Sequence, residues 1–533
     1  MFRKQSRRSR LAGLCATSSA LIVAAGGATT VAASTGHAPT VATAGGSLRG
    51  VSTGWGFAFR GIPYAAPPTG HLRWRPPHRP TSWSGVRDAT HFAPSCPQSP
   101  TGNATFPPGR QSENCLYLNI STPILHQSAN RPVLVWIHGG GLTQDAARNY
   151  NGAMLARRGL VVVTINYRLG ALGFLAHPAL AARDGSTGNY GLMDQQAALR
   201  WVRQNIARFG GNPHNVTIAG QSAGGLSVLA QMVSRGARGL FQRAIVQSGA
   251  FALHQQSLAQ AKAAGKAFAA QAGCPSQTAR CLRHLPVSAL VTPGSGIPGA
   301  VDGKVLTEPI ATALQQGRFA HVPVLNGVVH NEEWLFVAGV GVAVSNGSFV
   351  QVPPVTADNY FSTIAAVAGV SQTRAQAIAD QYPVAAYGGA AVLALSTLLS
   401  DANFACPALQ VDRWTSWRVP TFGYQFNDDN APQRYSPPGV LPPFATHSSE
   451  IPYLLGQPNL PFPGAPFTAG QWSLAKHMQV AWARFAASGN PSTASVPWPS
   501  IGARAPMLSL VPPTPTIESG YRVEHHCGFW AAG

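Results

Sequence analysis

The sequence predicts an α/β fold, a mostly parallel central sheet flanked by helices. Three observations carry this expectation. Short β-branched runs alternate with helical patterns, the amphipathic helices end at Gly/Pro breaks, and a Gly-x-Ser-x-Gly turn joins one run to a helix. The strand runs are 133–137 (VLVWI), 161–165 (VVVTI), 216–219 (VTIA), 244–247 (AIVQ), 322–327 (VPVLNG) and 422–426 (FGYQF). Continuous apolar runs of this kind suit strands buried on both faces. A helix over 192–209 sets Leu192, Leu199, Val202 and Ile206 on one face and stops at Gly210-Gly211-Asn212-Pro213. A second, over 474–487, groups Leu474, Met478, Ala481, Trp482 and Phe485 before Gly489-Asn490-Pro491. Segments 85–112 and 283–300 are rich in Pro, Gly and Ser and read as surface loops.

Length alone, 533 residues, suggests three to four domains, but large α/β domains also reach this size. No repeat and no linker separates two self-contained patterned regions, so 39–533 reads as one domain. Charged residues are 11% of the chain against a usual ~25%, which argues against a coiled coil or a charged disordered tail. Lys and Arg number 38 and Asp and Glu 18, giving a net charge of +20. Such a charge invites nucleic acid as a partner. The basic groups are scattered, however, and no nucleic-acid-binding motif is present, so no specific nucleic-acid partner is expected.

The first ten residues, MFRKQSRRSR, carry five basic groups and no acid, and an apolar Ala-rich run follows to about residue 33. This is the pattern of a secretory leader over 1–38, cut between 32 and 38. Ser6-Arg7-Arg8 also resembles a twin-arginine signal. Ser, Thr and Gly interrupt the run, and Leu14 before Cys15 spoils a lipidation site, so no stable membrane anchor is expected and the chain reads as secreted. Six cysteines lie beyond the leader: Cys96, Cys115, Cys274, Cys281, Cys406 and Cys527. An even number in an exported chain suggests disulfides, with 15 pairings possible. Nearness in sequence favours Cys96–Cys115 and Cys274–Cys281, which leaves Cys406–Cys527. No Cys/His cluster has zinc spacing, so no metal is expected. His525 and His526 read as a terminal turn.

The sharpest chemical signal is Gly220-Gln221-Ser222-Ala223-Gly224, between the run VTIA and the helical stretch 226–233. At a strand-to-helix junction this is a nucleophile elbow: the turn is too tight for side chains at 220 and 224, and the serine hydroxyl projects from it. His138-Gly139-Gly140-Gly141 follows the run VLVWI. Glycines there let backbone N–H groups approach a substrate oxygen, so Gly140, Gly141 and the Ala223 amide are expected to hold an oxyanion. The lysine of a phosphate-binding loop is missing.

With these motifs the chain resembles the type-B carboxylesterase family of α/β-hydrolases, which includes cholinesterases, fungal lipases and bacterial para-nitrobenzyl esterases. The matching segments run from Phe59-Arg60-Gly61-Ile62-Pro63-Tyr64-Ala65 and Glu113-Asn114-Cys115-Leu116-Tyr117-Leu118-Asn119, through the two glycine motifs and Asn166-Tyr167-Arg168-Leu169-Gly170, to Val301-Asp302-Gly303. The resemblance implies an α/β-hydrolase fold with long loop insertions forming a substrate gorge, and it supports the three cysteine pairings above. A serine needs a base, and the base an orienting carboxylate; in this fold they follow in the order serine, acid, histidine. Aligning Leu335-Phe336 with the family's acid segment implies Glu332 as the acid, with Glu333 as alternative because one residue of shift exchanges them. Thr446-His447-Ser448-Ser449-Glu450-Ile451-Pro452 resembles the family's histidine segment and implies His447 as the base. Glu450 and Ser248 are candidates for buried supporting groups.

The implied activity is two-step hydrolysis of small-molecule carboxylic esters through an acyl-enzyme, with no metal or organic cofactor. Gln221 stands where cholinesterases carry Glu, and the 18 residues between Cys96 and Cys115 contain no Trp, both of which argue against choline esters. The shortness of that loop argues against a large lid, favouring soluble esters of small to medium acyl chains. Leu142 after the glycines leaves the acyl pocket undefined. A lipase for longer-chain glycerides and a non-catalytic binding module are the alternatives; the sequence is silent on oligomeric state.

Overall fold

The computed structural model describes residues 38–99, 107–291, 299–345, 348–433, 444–456, 466–502 and 506–532. The leader expected at the N-terminus lies outside them, apart from Ala38.

The central sheet has eleven strands among the described residues. In chain order they are β1 (Val51–Thr53), β2 (Gly56–Pro63), β3 (Tyr117–Thr122), β4 (Arg131–Ile137), β5 (Val161–Ile165), β6 (Gly211–Gln221), β7 (Arg243–Gln247), β8 (Val324–Val329), β9 (Thr421–Phe426), β10 (Met507–Leu510) and β11 (Thr516–Glu518). Across the sheet the order is β11-β10-β9-β8-β7-β6-β4-β5-β3-β2-β1. The strands from β10 to β5 pair in parallel, and the two margins are antiparallel. All six apolar runs of the sequence lie in the parallel part. β5, β8 and β9 are buried at every residue, as strands covered on both faces must be.

Helices α1 (Tyr190–Asn205), α2 (Ala223–Val233), α3 (Trp334–Val340), α4 (Ala391–Ser400), α5 (Cys406–Ser416), α6 (Ile451–Leu455) and α7 (Ala469–Ser488) lie among the connections. α1 ends in a 3₁₀ turn, Ile206–Phe209, closed by Gly210 at φ 81°. α7 starts with a Thr468/Gln471 capping box and ends at Gly489 in the left-handed conformation. α4 and α5 form one rod, Ala391–Ser416, interrupted by a π-helical segment, Asp401–Ala405. This rod is long and apolar enough to cross a membrane, but 67% of its most apolar window is buried inside the fold, as in a core helix. Within the expected loop 85–112, Val86–Asp88 is a short strand pairing with Gly46–Arg49 in a small outer sheet. Disulfides join Cys96–Cys115, Cys274–Cys281 and Cys406–Cys527. Three such bonds fit an oxidising compartment.

Strand register sets up the site. Ile137 lies beside Gly220, Gln221 beside Gln247, and Gln247 beside Gly327. The carboxyl ends of β4, β6, β7 and β8 therefore align along one edge, where this class of sheet binds its ligands.

Candidate active site

Ser222 is the single residue between β6 and α2, held at φ 57°, ψ −127°. A non-glycine residue there stores about 1–3 kcal/mol of strain, which the surrounding packing must maintain. The packing is close. A methyl group on Gly224 would stand 2.0 Å from the Ile137 carbonyl oxygen, and one on Gly220 would stand 2.4 Å from the Gly224 backbone. The Ser222 amide donates to the Gln247 carbonyl at 2.8 Å, so β7 braces the turn. Ser222 is 8% exposed.

The glycine loop leaves β4 beside this turn. Thr143 and Gln144 amides both donate to the Gly140 carbonyl at 3.0 Å, Tyr167 Oη donates to the His138 carbonyl, and the Gly170 amide donates to the Leu142 carbonyl. Gly140 and Gly141 sit at φ 84° and 62°, where a side chain is strained. The amides of Gly140, Gly141 and Ala223 have no acceptor among the described residues. Ala223 is the first residue of α2, where the helix end adds positive potential.

Glu332 follows β8 and is fully buried. Its Oε1 accepts the Val329 amide at 3.0 Å, and its Oε2 is hydrogen bonded to His447 Nδ1. A backbone bridge brings the two segments together: Asn331 pairs with Thr446, and the Asn331 amide donates to the Ala445 carbonyl at 2.8 Å. The other ring nitrogen, His447 Nε2, lies 3.2 Å from Gln221 Nε2, on the residue preceding Ser222. The ring is thus held between the Gln221 side-chain amide at Nε2 and the Glu332 carboxylate at Nδ1. Phe336 and Phe404 flank the imidazole, with ring centroids at 4.8 and 5.4 Å. The structure thus joins Glu332 to His447 directly and reaches the Ser222 turn through Gln221.

Glu333 takes no part in that chain. Burial pushes its carboxyl up to about 8, with negative Glu332 adding to the shift. Its oxygens accept from the Val344 amide and from Asn403 Nδ2. Glu450 is also pushed up to about 8, first by burial and then by Glu332; Gln247 Nε2 donates to it at 3.1 Å. Two carboxyls that stay protonated near neutrality add no further negative charge beside Glu332. Ser248 follows β7 at φ 49°, and its buried hydroxyl, like Glu450 Oε2, has no hydrogen-bond partner among the described residues. A separate cluster, His330, Glu524 and His525, lies nearby; His330 and His525 bond Glu524 and Asp401 respectively. Sequence reasoning missed Phe404 and Asn403, which sit on the π segment and carry no local motif. Phe336 served there only as an alignment marker.

A strained serine turn, backbone amides without an acceptor among the described residues and a carboxylate–imidazole pair lie at the carboxyl ends of the parallel strands. The chain belongs to the carboxylesterase family, whose sequence profile matches residues 37–530. It is 36% identical over 492 residues to the cocaine esterase of Homo sapiens, covering 87% of this chain and 84% of that protein. It is 33% identical over 485 residues to the para-nitrobenzyl esterase of Bacillus subtilis (strain 168), covering 86% and 92%. A solved PNB esterase superimposes with a TM-score of 0.75 at 31% identity, over 92% of this chain and 99% of that one. The fold is that of the α/β-hydrolases, and the chain is a carboxylic ester hydrolase acting on small-molecule esters.

Proposed function

We propose that this protein is a secreted serine carboxylesterase in which Ser222 is the nucleophile, His447 the base and Glu332 the orienting acid. The observation that carries the reading is the buried Glu332–His447 hydrogen bond, with the second imidazole nitrogen within reach of the residue before Ser222. His447 takes the Ser222 proton as the hydroxyl attacks the ester carbonyl. The Gly140, Gly141 and Ala223 amides stabilise the oxyanion. His447 then gives the proton to the leaving alcohol, water attacks the acyl-serine by the same route, and the carboxylic acid departs. Glu332 holds the Nδ1–H tautomer and offsets the imidazolium charge. Glu450 and Ser248 support this arrangement from behind, through Gln247 and the Ser222 turn. Residues 1–38 serve as an export leader and 39–533 as one catalytic domain; the three disulfides are consistent with export.

The substrates are soluble esters with small to medium acyl chains. The short Cys96–Cys115 loop supports this acyl range, and relatives named for cocaine, fumonisin B1 and para-nitrobenzyl esters support small-molecule esters as the substrate class. The test is the activity of the secreted protein on p-nitrophenyl esters from acetate to palmitate, below and above their solubility. The expected optimum lies at dissolved short to medium chains. A sharp rise only when long-chain substrate forms droplets would make the enzyme a lipase instead.

A further inference from the structure

A small hairpin, Val342–Ser345 with Ser348–Gln351, follows α3, and Val344 lies directly opposite Phe349 in it. The backbone of Val344 is held from outside the hairpin. Its amide donates to both Glu333 oxygens, at 3.2 and 3.3 Å, and its carbonyl accepts from Asn403 Nδ2 at 2.6 Å. Asn403 also donates to Glu333 Oε1, so the clamp closes on itself. Glu333 and Asn403 are chain neighbours of Glu332 and Phe404, both of which contact His447. The hairpin is therefore indexed to the same two elements that set the imidazole.

The clamp fixes where Phe349 points. A methyl on Gly141 would lie 2.9 Å from Phe349 Cε2, so the ring overhangs the glycine loop. Phe349 also packs on Phe336 at 5.4 Å between centroids, and Phe336 packs on His447 at 4.8 Å. Phe349 remains 49% exposed, which leaves apolar ring surface available to a ligand.

The position of this ring has a chemical meaning. The alcohol oxygen of an ester receives its proton from the imidazole, so the alcohol group must lie on the His447 side of the reacting carbon. The Phe336–Phe349 pair extends from that side. We propose that Phe349 determines specificity by recognising an apolar, ring-bearing alcohol part of the ester, held in place by the Glu333–Asn403 clamp on Val344. This inference rests on the assignment of Ser222 and His447 above and adds the alcohol class to it.

The experiment measures kcat and KM of the full secreted chain on two substrate pairs. Benzyl and ethyl acetate differ only in the alcohol; p-nitrophenyl octanoate and acetate differ only in the acyl chain. Phe349→Ala lowers the benzyl-to-ethyl ratio of kcat/KM by about tenfold, mainly by raising KM for benzyl acetate, as loss of one apolar contact would. The octanoate-to-acetate ratio moves less than about twofold, and Phe349→Leu recovers part of the benzyl preference. Asn403→Ala shifts the benzyl-to-ethyl ratio in the same direction, because it loosens the clamp. A benzyl-to-ethyl ratio unchanged in Phe349→Ala, or a change confined to the acyl pair, overturns the proposal while leaving the esterase assignment standing. If the wild-type chain hydrolyses none of the four esters, both fall together.

Discussion

Glu332 and Glu333 are adjacent in the chain, and their carboxyls serve different partners: the first bonds His447 Nδ1, the second accepts from the Val344 amide and Asn403. One residue of register thus separates an imidazole partner from a hairpin anchor. Sequence reasoning could order the two only by aligning Leu335-Phe336, whereas the structure separates them by contact.

Glu332→Gln keeps the shape but removes the charge and favours the wrong imidazole tautomer. It should lower kcat by about 10³–10⁴-fold, in line with such changes in other serine hydrolases. Glu333→Gln should cost less than about tenfold, because it leaves the His447 partner untouched. Steady-state kinetics on p-nitrophenyl acetate decides. The reverse ranking would assign the acid role to Glu333.

Much of the parallel sheet was legible because its strands are continuous apolar runs, a pattern that burial on both faces imposes. The antiparallel margin was not: β2 includes Arg60 and Gly61 and shifts register between Phe59 and Ile62, which breaks any simple period. The rod Ala391–Ser416 was hidden for another reason. Asp401, Asn403 and Pro407 disfavour a helix interior, yet the π segment absorbs the irregularity and Pro407 falls in the first turn of α5. At the site, Ser222 and the glycines were legible because tight turns demand particular residues. Phe349 and Asn403 take their places through tertiary packing alone and left no local mark.

The glycine loop proposed to hold the oxyanion gives a sharp geometric test. Gly140 lies at φ 84°, and a Cβ there would stand 2.3 Å from the Gln144 carbonyl oxygen. Gly140→Ala should displace the loop and lower kcat by about 10²–10³-fold, the typical cost of one lost oxyanion donor. A kcat within threefold of wild type, in a protein with an unchanged melting temperature, would mean this amide does not serve the reaction.

Stability should fall as pH rises through the neutral range. The folded-state values of Glu333 and Glu450 are raised to about 8, from an ordinary value of 4.5. Between those limits the folded chain binds more protons than the unfolded chain, so their contribution is complete below about pH 4.5 and is lost as pH climbs through about 8. Glu450→Gln carries no titrating proton. Its melting temperature should therefore decline less than wild type between about pH 5 and pH 9, by thermal melts at matched ionic strength. Parallel pH profiles for the two proteins would contradict the burial of an ionisable Glu450.

The Cys406–Cys527 bond closes a loop of 121 residues and ties the C-terminal turn to the long rod. By chain entropy, replacing both cysteines with alanine should cost up to about 5 kcal/mol, more than the same change at Cys274 and Cys281, which are only 7 apart. Denaturant melts of the two double variants provide the comparison. Equal losses would show that native packing, rather than loop closure, sets the contribution.

The most direct measurement is ester turnover and covalent labelling of wild type and Ser222→Ala. Wild type should take one equivalent of an aryl phosphonate at Ser222, located by peptide mass spectrometry, and lose activity in step. Ser222→Ala should fold with the same melting temperature within a few degrees, take no label and lose at least about 10⁴-fold in kcat. A Ser222→Ala protein that still hydrolyses p-nitrophenyl acetate at the wild-type rate would contradict the account at its centre.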